Sequence, residues 1–220
     1  MIPIKICGIT SVKDAQMAIE NGASAIGLIF YKYSPRNVNV ECAKEIVKYA
    51  KGSVPVVGVF VDENIQHLKL ILSQVNLDIL QLHGKESSQY CEQFNLPIIK
   101  VFRVGPGFDK SQLLDYNVSA FLFDTHKKGL PGGTGDHFDW ELISDLKIDT
   151  PIILSGGLTP HNILSGVEIV APSAGDVNSG VENCPGEKNK EKLIQLFNKT
   201  GFVSEADNLF HKIKSGALNV

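Results

Sequence analysis

Short runs of consecutive apolar residues recur along the chain and predict its strands. The runs are not interrupted by polar residues at every second position, which is typical of parallel strands covered on both faces. The eight predicted strands are Ile2–Cys7, Ala25–Phe30, Pro55–Val61, Ile79–Leu82, Ile98–Phe102, Ala120–Phe123, Ile152–Ser155 and Gly175–Val177.

Stretches with the periodicity of amphipathic helices follow these strands. The first, Ser11–Gly22, begins with the capping segment SVKD, and its apolar stripe is Ala15, Ala18 and Ile19. The others are Glu41–Lys51, Asn64–Val75, Ser87–Phe94, Lys110–Tyr116, Trp140–Leu146, Pro160–Val167 and Asn189–Lys199. A strand followed by a helix, eight times, predicts an α/β fold, a single-domain (β/α)8 TIM barrel, with a doubly wound open sheet as the alternative.

The predicted barrel occupies residues 1–199 and leaves a C-terminal extension at residues 200–220. From Ser204 the extension has the pattern of an added amphipathic helix, which we expect to pack on the outside of the barrel. Neither a linker nor a low-complexity segment divides the sequence, so one catalytic domain is predicted.

Composition narrows the range of partners. The chain has 220 residues, 43% of them hydrophobic, and a formal net charge of -3. Because neither the net charge nor any run of basic residues favours it, nucleic-acid binding is not expected, and a small neutral or anionic ligand is favoured. The longest apolar run, Val54–Val61, is too short to span a membrane, and no signal peptide is apparent. A cytoplasmic protein is therefore predicted, with four free cysteines and either a monomeric or a homodimeric state.

Unusual polar and glycine residues gather where the predicted strands end. In a barrel, the carboxyl ends of the strands face the active site, and phosphate sites are commonly built after strands seven and eight. Two glycine-containing loops stand at those positions, and they predict a phosphorylated small-molecule substrate, although each loop alone could be a tight turn. The predicted phosphate-binding residues are Gly156, Gly157, Ser179 and Gly180.

Other loop residues have weaker signals. Arg36, after Pro35, suits bidentate binding of a carboxylate. The segment GGTG at residues 132–135 is too short for a dinucleotide fingerprint and is interpreted as part of a mobile loop over the site. The six histidines lack metal-binding spacing, so a metal site is not predicted. His83, at a strand end, is expected to line the pocket and to hydrogen-bond neighbouring backbone.

Cys7 and Asp124 are the candidate catalytic pair. A free cysteine is by default a small buried hydrophobe, but Cys7 stands at the barrel mouth near the helix that begins at Ser11. A helix N-terminus can lower a thiol pKa enough to produce a base or nucleophile. Asp124, at the end of strand six, would then be the complementary acid.

Seven motifs, in order over about residues 1–199, resemble the N-(5′-phosphoribosyl)anthranilate isomerase family. They are KICGIT at residues 5–10, FYKYSPR at 30–36, VGVFV at 57–61, LQLHG at 80–84, GGTGDHFDW at 132–140, LSGGL at 154–158 and DVNSGVENCPGEK at 176–188.

The resemblance implies a cofactor-free Amadori rearrangement in tryptophan biosynthesis. It implies that Asp124 is the general acid, that Cys7 is the general base, and that Arg36 binds the anthranilate carboxylate. By the same resemblance, Gln81 and Asp176 position the substrate, and the glycine loops bind its phosphate.

Two alternatives remain at this stage. The analogous phosphoribosyl isomerase of histidine biosynthesis uses an aspartate at the end of strand one, where this chain has Cys7. A non-catalytic phosphosugar-binding module would be expected to lose Cys7 or Asp124, and both are present.

Overall fold

Eight parallel strands close into a barrel in which each strand pairs with its neighbours in chain order, and the eighth pairs with the first. The computed structural model describes residues 1–125 and 139–218. The strands are β1 (Ile4–Ile6), β2 (Ala25–Ile29), β3 (Val56–Phe60), β4 (Ile79–Leu82), β5 (Ile98–Val104), β6 (Ala120–Thr125), β7 (Ile152–Leu154) and β8 (Ala174–Val177). The predicted barrel is confirmed, and the open sheet is excluded because β8 and β1 are paired.

Helices follow the strands as the pattern predicts. They are α1 (Val12–Glu20), α2 (Val40–Ala50), α3 (Ile65–Leu72), α4 (Ser88–Cys91), α5 (Glu141–Ser144), α6 (Ile163–Val170), α7 (Lys190–Thr200) and α8 (Leu209–Ser215). Ser11 caps α1, since its hydroxyl accepts a hydrogen bond from the Asp14 N–H at 3.1 Å.

Three of the predicted helices are reduced to a single turn or are tighter than expected, and one of them, predicted over Trp140–Leu146, is the single turn α5. The segment predicted as Ser87–Phe94 is the single turn α4, and the segment predicted as Lys110–Tyr116 is a 3₁₀ helix, Lys110–Asp115. The 3₁₀ helix ends where Tyr116 takes extended backbone, and the Tyr116 hydroxyl donates to the Glu86 carbonyl at 2.9 Å. Local periodicity cannot reveal a tertiary hydrogen bond of this kind.

Alternate side chains of each strand face opposite sides of the barrel wall. The outward set packs beneath the helices in the main core. The inward set forms a second, smaller apolar cluster at the amino ends of the strands. Its strand members are Ala25, Val57, Ile79, Ile99, Val101, Ala120, Leu122, Ile153 and Ala174. We call this inward cluster the barrel floor.

Helix α8 covers the barrel floor. Its buried side chains Leu209, Phe210 and Ile213 belong to the same apolar cluster as the floor residues. Two polar contacts hold it at the amino ends of the strands: the Asn208 amide donates to the Ser24 carbonyl at 2.9 Å, and Lys214 pairs with Asp78 at 2.8 Å. The helix expected to pack on the outside of the barrel therefore lies across its amino-terminal opening, because the floor residues are apolar and need cover. The boundary between the barrel domain and the C-terminal extension, placed between residues 199 and 200, stays a prediction.

A two-stranded antiparallel sheet follows β8 and was not predicted. It consists of β9 (Glu182–Cys184) and β10 (Glu187–Lys188), joined through Pro185 and Gly186. Pairing of Lys188 with Glu182 across this sheet brings both charged side chains to the barrel mouth. In the described part of the chain, no helix is long and apolar enough to cross a membrane.

Candidate active site

A cavity of about 390 Å³ opens at the carboxyl ends of the strands. Side chains from most of the strands reach it, as expected for a barrel mouth. The predicted site residues that line it are Cys7, Arg36, Gln81, Asp124, Gly156, Gly157, Asp176 and Ser179. The ninth, Gly180, lies next to Ser179 in the short 3₁₀ helix Ser179–Val181. The structure therefore brings together residues separated by up to 173 positions in sequence at one small site.

Cys7 follows β1 directly and lies at the bottom of this cavity. Its N–H donates to the Val177 carbonyl at 2.9 Å, and the residue is 4% exposed. All four cysteines are free, as predicted. Burial is the largest influence on Cys7 and raises the pKa of its thiol, whereas the Lys5 charge opposes that effect. The expected lowering by a helix terminus is therefore wrong for the ligand-free site, because loss of solvation dominates.

Lys5, the first residue of the KICGIT motif, is a site residue for which no role was predicted. It is fully buried inside the barrel wall, and its ammonium lies 2.7 Å from Asp176 Oδ1 across the β1 and β8 pair. The Ser155 hydroxyl donates to the other Asp176 oxygen at 3.3 Å. Burial alone would lower the pKa of Lys5, but attraction to Asp176 and to Cys7 raises it. A lysine within an otherwise apolar strand, two residues before Cys7, was the available sequence signal.

Asp124 ends the inward face of β6 and is held by a histidine. Its Oδ2 lies 3.0 Å from His83 Nε2, and His83 Nδ1 lies 3.0 Å from Gln81 Nε2. The expectation that His83 hydrogen-bonds neighbouring backbone is wrong in this respect, because both ring nitrogens contact side chains. Gln81 lies on β4, and His83 directly follows the strand two residues later. Both side chains therefore face the barrel interior and can meet Asp124.

Arg36 reaches the cavity from the loop after β2 and is already paired with a carboxylate. Its Nε lies 3.0 Å from both Glu182 oxygens, and its Nη2 lies 2.7 Å from Oε2. Lys188 pairs with the same carboxylate at 2.8 Å. Burial would raise the pKa of Glu182, but the hydrogen bond from Arg36 and the charge of Lys188 hold it below its usual value. Burial lowers the pKa of Lys188 despite that partner.

The loops after β7 and β8 meet beside the cavity. A Cβ atom at Gly180 would lie 2.0 Å from the Leu158 carbonyl oxygen, so only glycine permits this approach. Gly156 and Gly157 both have positive φ, 83° and 70°. The two loops predicted to bind phosphate are therefore adjacent in space, as the barrel prediction required.

The GGTG segment at residues 132–135, interpreted above as a loop over the site, lies outside the described residues. Within residues 1–125 and 139–218, no group of three or more His, Cys, Asp or Glu side chains is placed to hold a metal ion.

Comparison with known proteins identifies the family. A sequence profile described as N-(5′-phosphoribosyl)anthranilate (PRA) isomerase matches residues 4–199. The chain belongs to this isomerase family. A relative from Geobacter sp. (strain M21), named N-(5′-phosphoribosyl)anthranilate isomerase, is 43% identical over 209 residues, which are 95% of this chain and 100% of the relative.

Solved phosphoribosylanthranilate isomerases share the fold. The crystal structure from Thermus thermophilus is 33% identical, covers 90% of this chain and 98% of that one, and has a TM-score of 0.82. Another, in complex with reduced 1-(o-carboxyphenylamino)-1-deoxyribulose 5-phosphate, is also 33% identical, covers 90% and 97% of the two chains, and has a TM-score of 0.75. The comparisons confirm the predicted family, barrel and isomerase class.

Proposed function

We propose that the chain converts N-(5′-phosphoribosyl)anthranilate to 1-(2-carboxyphenylamino)-1-deoxyribulose 5-phosphate, a step of tryptophan biosynthesis, with Cys7 as general base and Asp124 as general acid. Family membership carries the reaction. The observation that supports the residue roles is that a thiol on one side of the mouth and a carboxyl on the other line the same small cavity.

The reaction needs one proton delivered to the ribose ring oxygen and one proton removed from C2. Asp124 protonates the ribose ring oxygen, the bond from that oxygen to C1 breaks, and the nitrogen lone pair completes a Schiff base. The Cys7 thiolate then takes the proton from C2, the C–H electron pair forms the C1–C2 double bond of an enolamine, and the π pair of the C1–N double bond returns to the nitrogen. Proton movement from the C2 hydroxyl to C1 gives the ketone, and no atoms are gained or lost.

The remaining residues hold the substrate. The Arg36 side chain, with its Nε and Nη2 on Glu182, offers its remaining guanidinium edge to the anthranilate carboxylate. Backbone N–H groups around Gly156, Gly157, Ser179 and Gly180 bind the phosphate, for which closely approaching loops are suited. Gln81 and Asp176 position the ribose.

The cellular setting follows from the same proposal. A cytoplasmic enzyme that acts without a cofactor, as a monomer or a homodimer, is the form that we expect to carry this activity.

The test is the loss of substrate fluorescence when purified protein is added. We expect turnover by the wild type, and a fall of about 10²-fold or more in kcat for Cys7→Ala and for Asp124→Asn, because each removes one proton-transfer group. Cys184→Ala is the matched control, since Cys184 is an exposed free cysteine on β9; it should retain wild-type kcat.

Each contrary outcome has a definite meaning. Near-wild-type activity in either catalytic variant would remove that residue from its role. A folded wild type that binds a product analogue without turnover would indicate a binding module, and turnover of the histidine-pathway substrate alone would indicate the other isomerase.

A further inference from the structure

The ion pair between Lys5 and Asp176 lies directly beneath the proposed base. Lys5 lies on β1 and Cys7 directly follows that strand, two residues later, so their side chains share the inward face. Lys5 is 0% exposed, and removing an ammonium from water costs several kcal/mol unless opposite charge compensates it. Asp176, at 2.7 Å, supplies one compensating charge. Filling space would not require an ion pair, because apolar side chains fill the barrel floor.

Gly27, on the neighbouring strand β2, makes room for the lysine and the cysteine together. A Cβ atom at this position would lie 2.8 Å from Cys7 Sγ and 3.2 Å from Lys5 Nζ. Both groups therefore converge on the space above one glycine. Any larger residue would push the sulfur or the ammonium out of that space.

Three charged groups act on the Cys7 sulfur from the elements around it. Lys5 on β1 and Lys188 on β10 favour the thiolate, and Asp176 on β8 disfavours it, while burial favours the neutral thiol. Lys188 is paired with Glu182 at 2.8 Å, so much of its charge is already balanced. Lys5 is the stronger of the two favourable charges.

We propose that Lys5 is the counter-ion of the Cys7 thiolate, held in place by Asp176 and admitted by Gly27. This role rests on the proposed function, in which Cys7 takes the C2 proton. Lys5 keeps all its protons throughout the step; the proton moves from C2 to sulfur, and the C–H electron pair moves into the C1–C2 bond. Lys5 is thus a positioning residue that acts through Cys7.

The test measures the thiol itself, independently of turnover. Ligand-free wild type, Lys5→Met and Asp176→Asn are treated with iodoacetamide over a pH series, and alkylation of Cys7 is followed by site-resolved mass spectrometry. Because only the thiolate reacts, the midpoint pH reports the Cys7 ionisation. We expect Lys5→Met to move the midpoint upward by about one unit or more, which lowers the alkylation rate at neutral pH about tenfold. Asp176→Asn should move it downward.

Lys100→Met is the matched control. Lys100 is another buried strand lysine with a carboxylate partner, Glu86 at 2.8 Å, and it belongs to the outward side of β5. Its loss removes the same charge from the same barrel and should leave the Cys7 midpoint unchanged. Opposite shifts for the two site variants, with none for the control, would not arise from general loosening of the fold.

The proposal is overturned if Lys5→Met leaves the Cys7 midpoint in place, or if Asp176→Asn moves it upward or not at all. If Lys5→Met does not fold, Asp176→Asn alone decides, because it leaves Lys5 facing the sulfur without its carboxylate. If the wild type lacks isomerase turnover while the two variants show the expected midpoint shifts, the proposed function is refuted and the charge coupling is not. The two failures are therefore distinguishable.

Discussion

At the scale of single residues, the hydrogen bonds around His83 define its tautomer. With the Gln81 amide nitrogen assigned as the atom 3.0 Å from Nδ1, the matching neutral tautomer accepts at Nδ1 and donates from Nε2–H to Asp124. A donor aimed at Asp124 stabilises the carboxylate that remains after proton transfer to the substrate. His83 thus acts as a positioning residue for the proposed acid.

Replacing His83 with Ala should lower kcat about 10- to 100-fold and change KM little, because a hydrogen bond to a charged group is worth about 1.5–3 kcal/mol. Steady-state kinetics would separate the two constants. His67→Ala is the control, since His67 is an exposed helix residue whose ring contacts Glu63 at 3.1 Å. An equal effect of both substitutions, or a change confined to KM, would contradict this role.

Sequence reasoning found the residues with distinctive chemistry and missed their charged neighbours. Cys7 and the glycine loops stand in motifs, and Asp124 directly follows a predicted strand, so these residues could be predicted. Lys5, Glu182 and Lys188 depend on contacts between distant segments, such as the pairing of β1 with β8. Lysine and glutamate are common in sequences, so only the tertiary contacts of β9 and β10 show that Glu182 and Lys188 are buried, whereas Lys5 had one local signal, its place within an apolar run.

At the scale of elements, the two candidate phosphate loops depend on one close approach. The 3₁₀ helix at Ser179–Val181 packs against the segment after β7 where Gly180 meets the Leu158 carbonyl. The alternation of strand and helix was readable from periodicity, but this contact was not. The β9 and β10 sheet was missed for the same reason, since its strands are too short to have a period.

Gly180→Ala should raise KM for the phosphorylated substrate about tenfold or more, because the added methyl group would separate the two loops and misplace their N–H groups. Substrate-dependence of the initial rate measures this. Gly107→Ala is the control: its Cβ would meet nothing within 4 Å, although its φ of 82° makes the change mildly destabilising. A KM unchanged in Gly180→Ala would mean that these loops do not bind the phosphate.

At the scale of the whole molecule, the barrel interior has two different ends. The floor is apolar and covered by α8, whereas the mouth carries the buried charges and the cavity. The alternation of inward residues along the strands, apolar first and polar last, produces this division. Stability and chemistry are therefore assigned to opposite ends of the same strands.

Phe210→Ala should lower the free energy of unfolding by about 3–5 kcal/mol, because its fully buried ring fills the covered floor. Urea denaturation would measure the loss, and kcat at 25 °C should stay at the wild-type value. Phe202→Ala is the control, since Phe202 is 67% exposed, and it should change stability by less than about 1 kcal/mol. A loss of less than about 1 kcal/mol in Phe210→Ala would show that α8 contributes little to the core.

The position of α8 in the chain has a consequence for synthesis. β8, whose pairing with β1 closes the ring of strands, ends at Val177, whereas the side chains that cover the floor are Leu209, Phe210 and Ile213. Translation therefore completes the ring before it delivers the cover. We expect a nascent chain paused in this interval to expose the uncovered apolar floor to water, and ribosomes spaced closely on one message to bring several such apolar surfaces near one another.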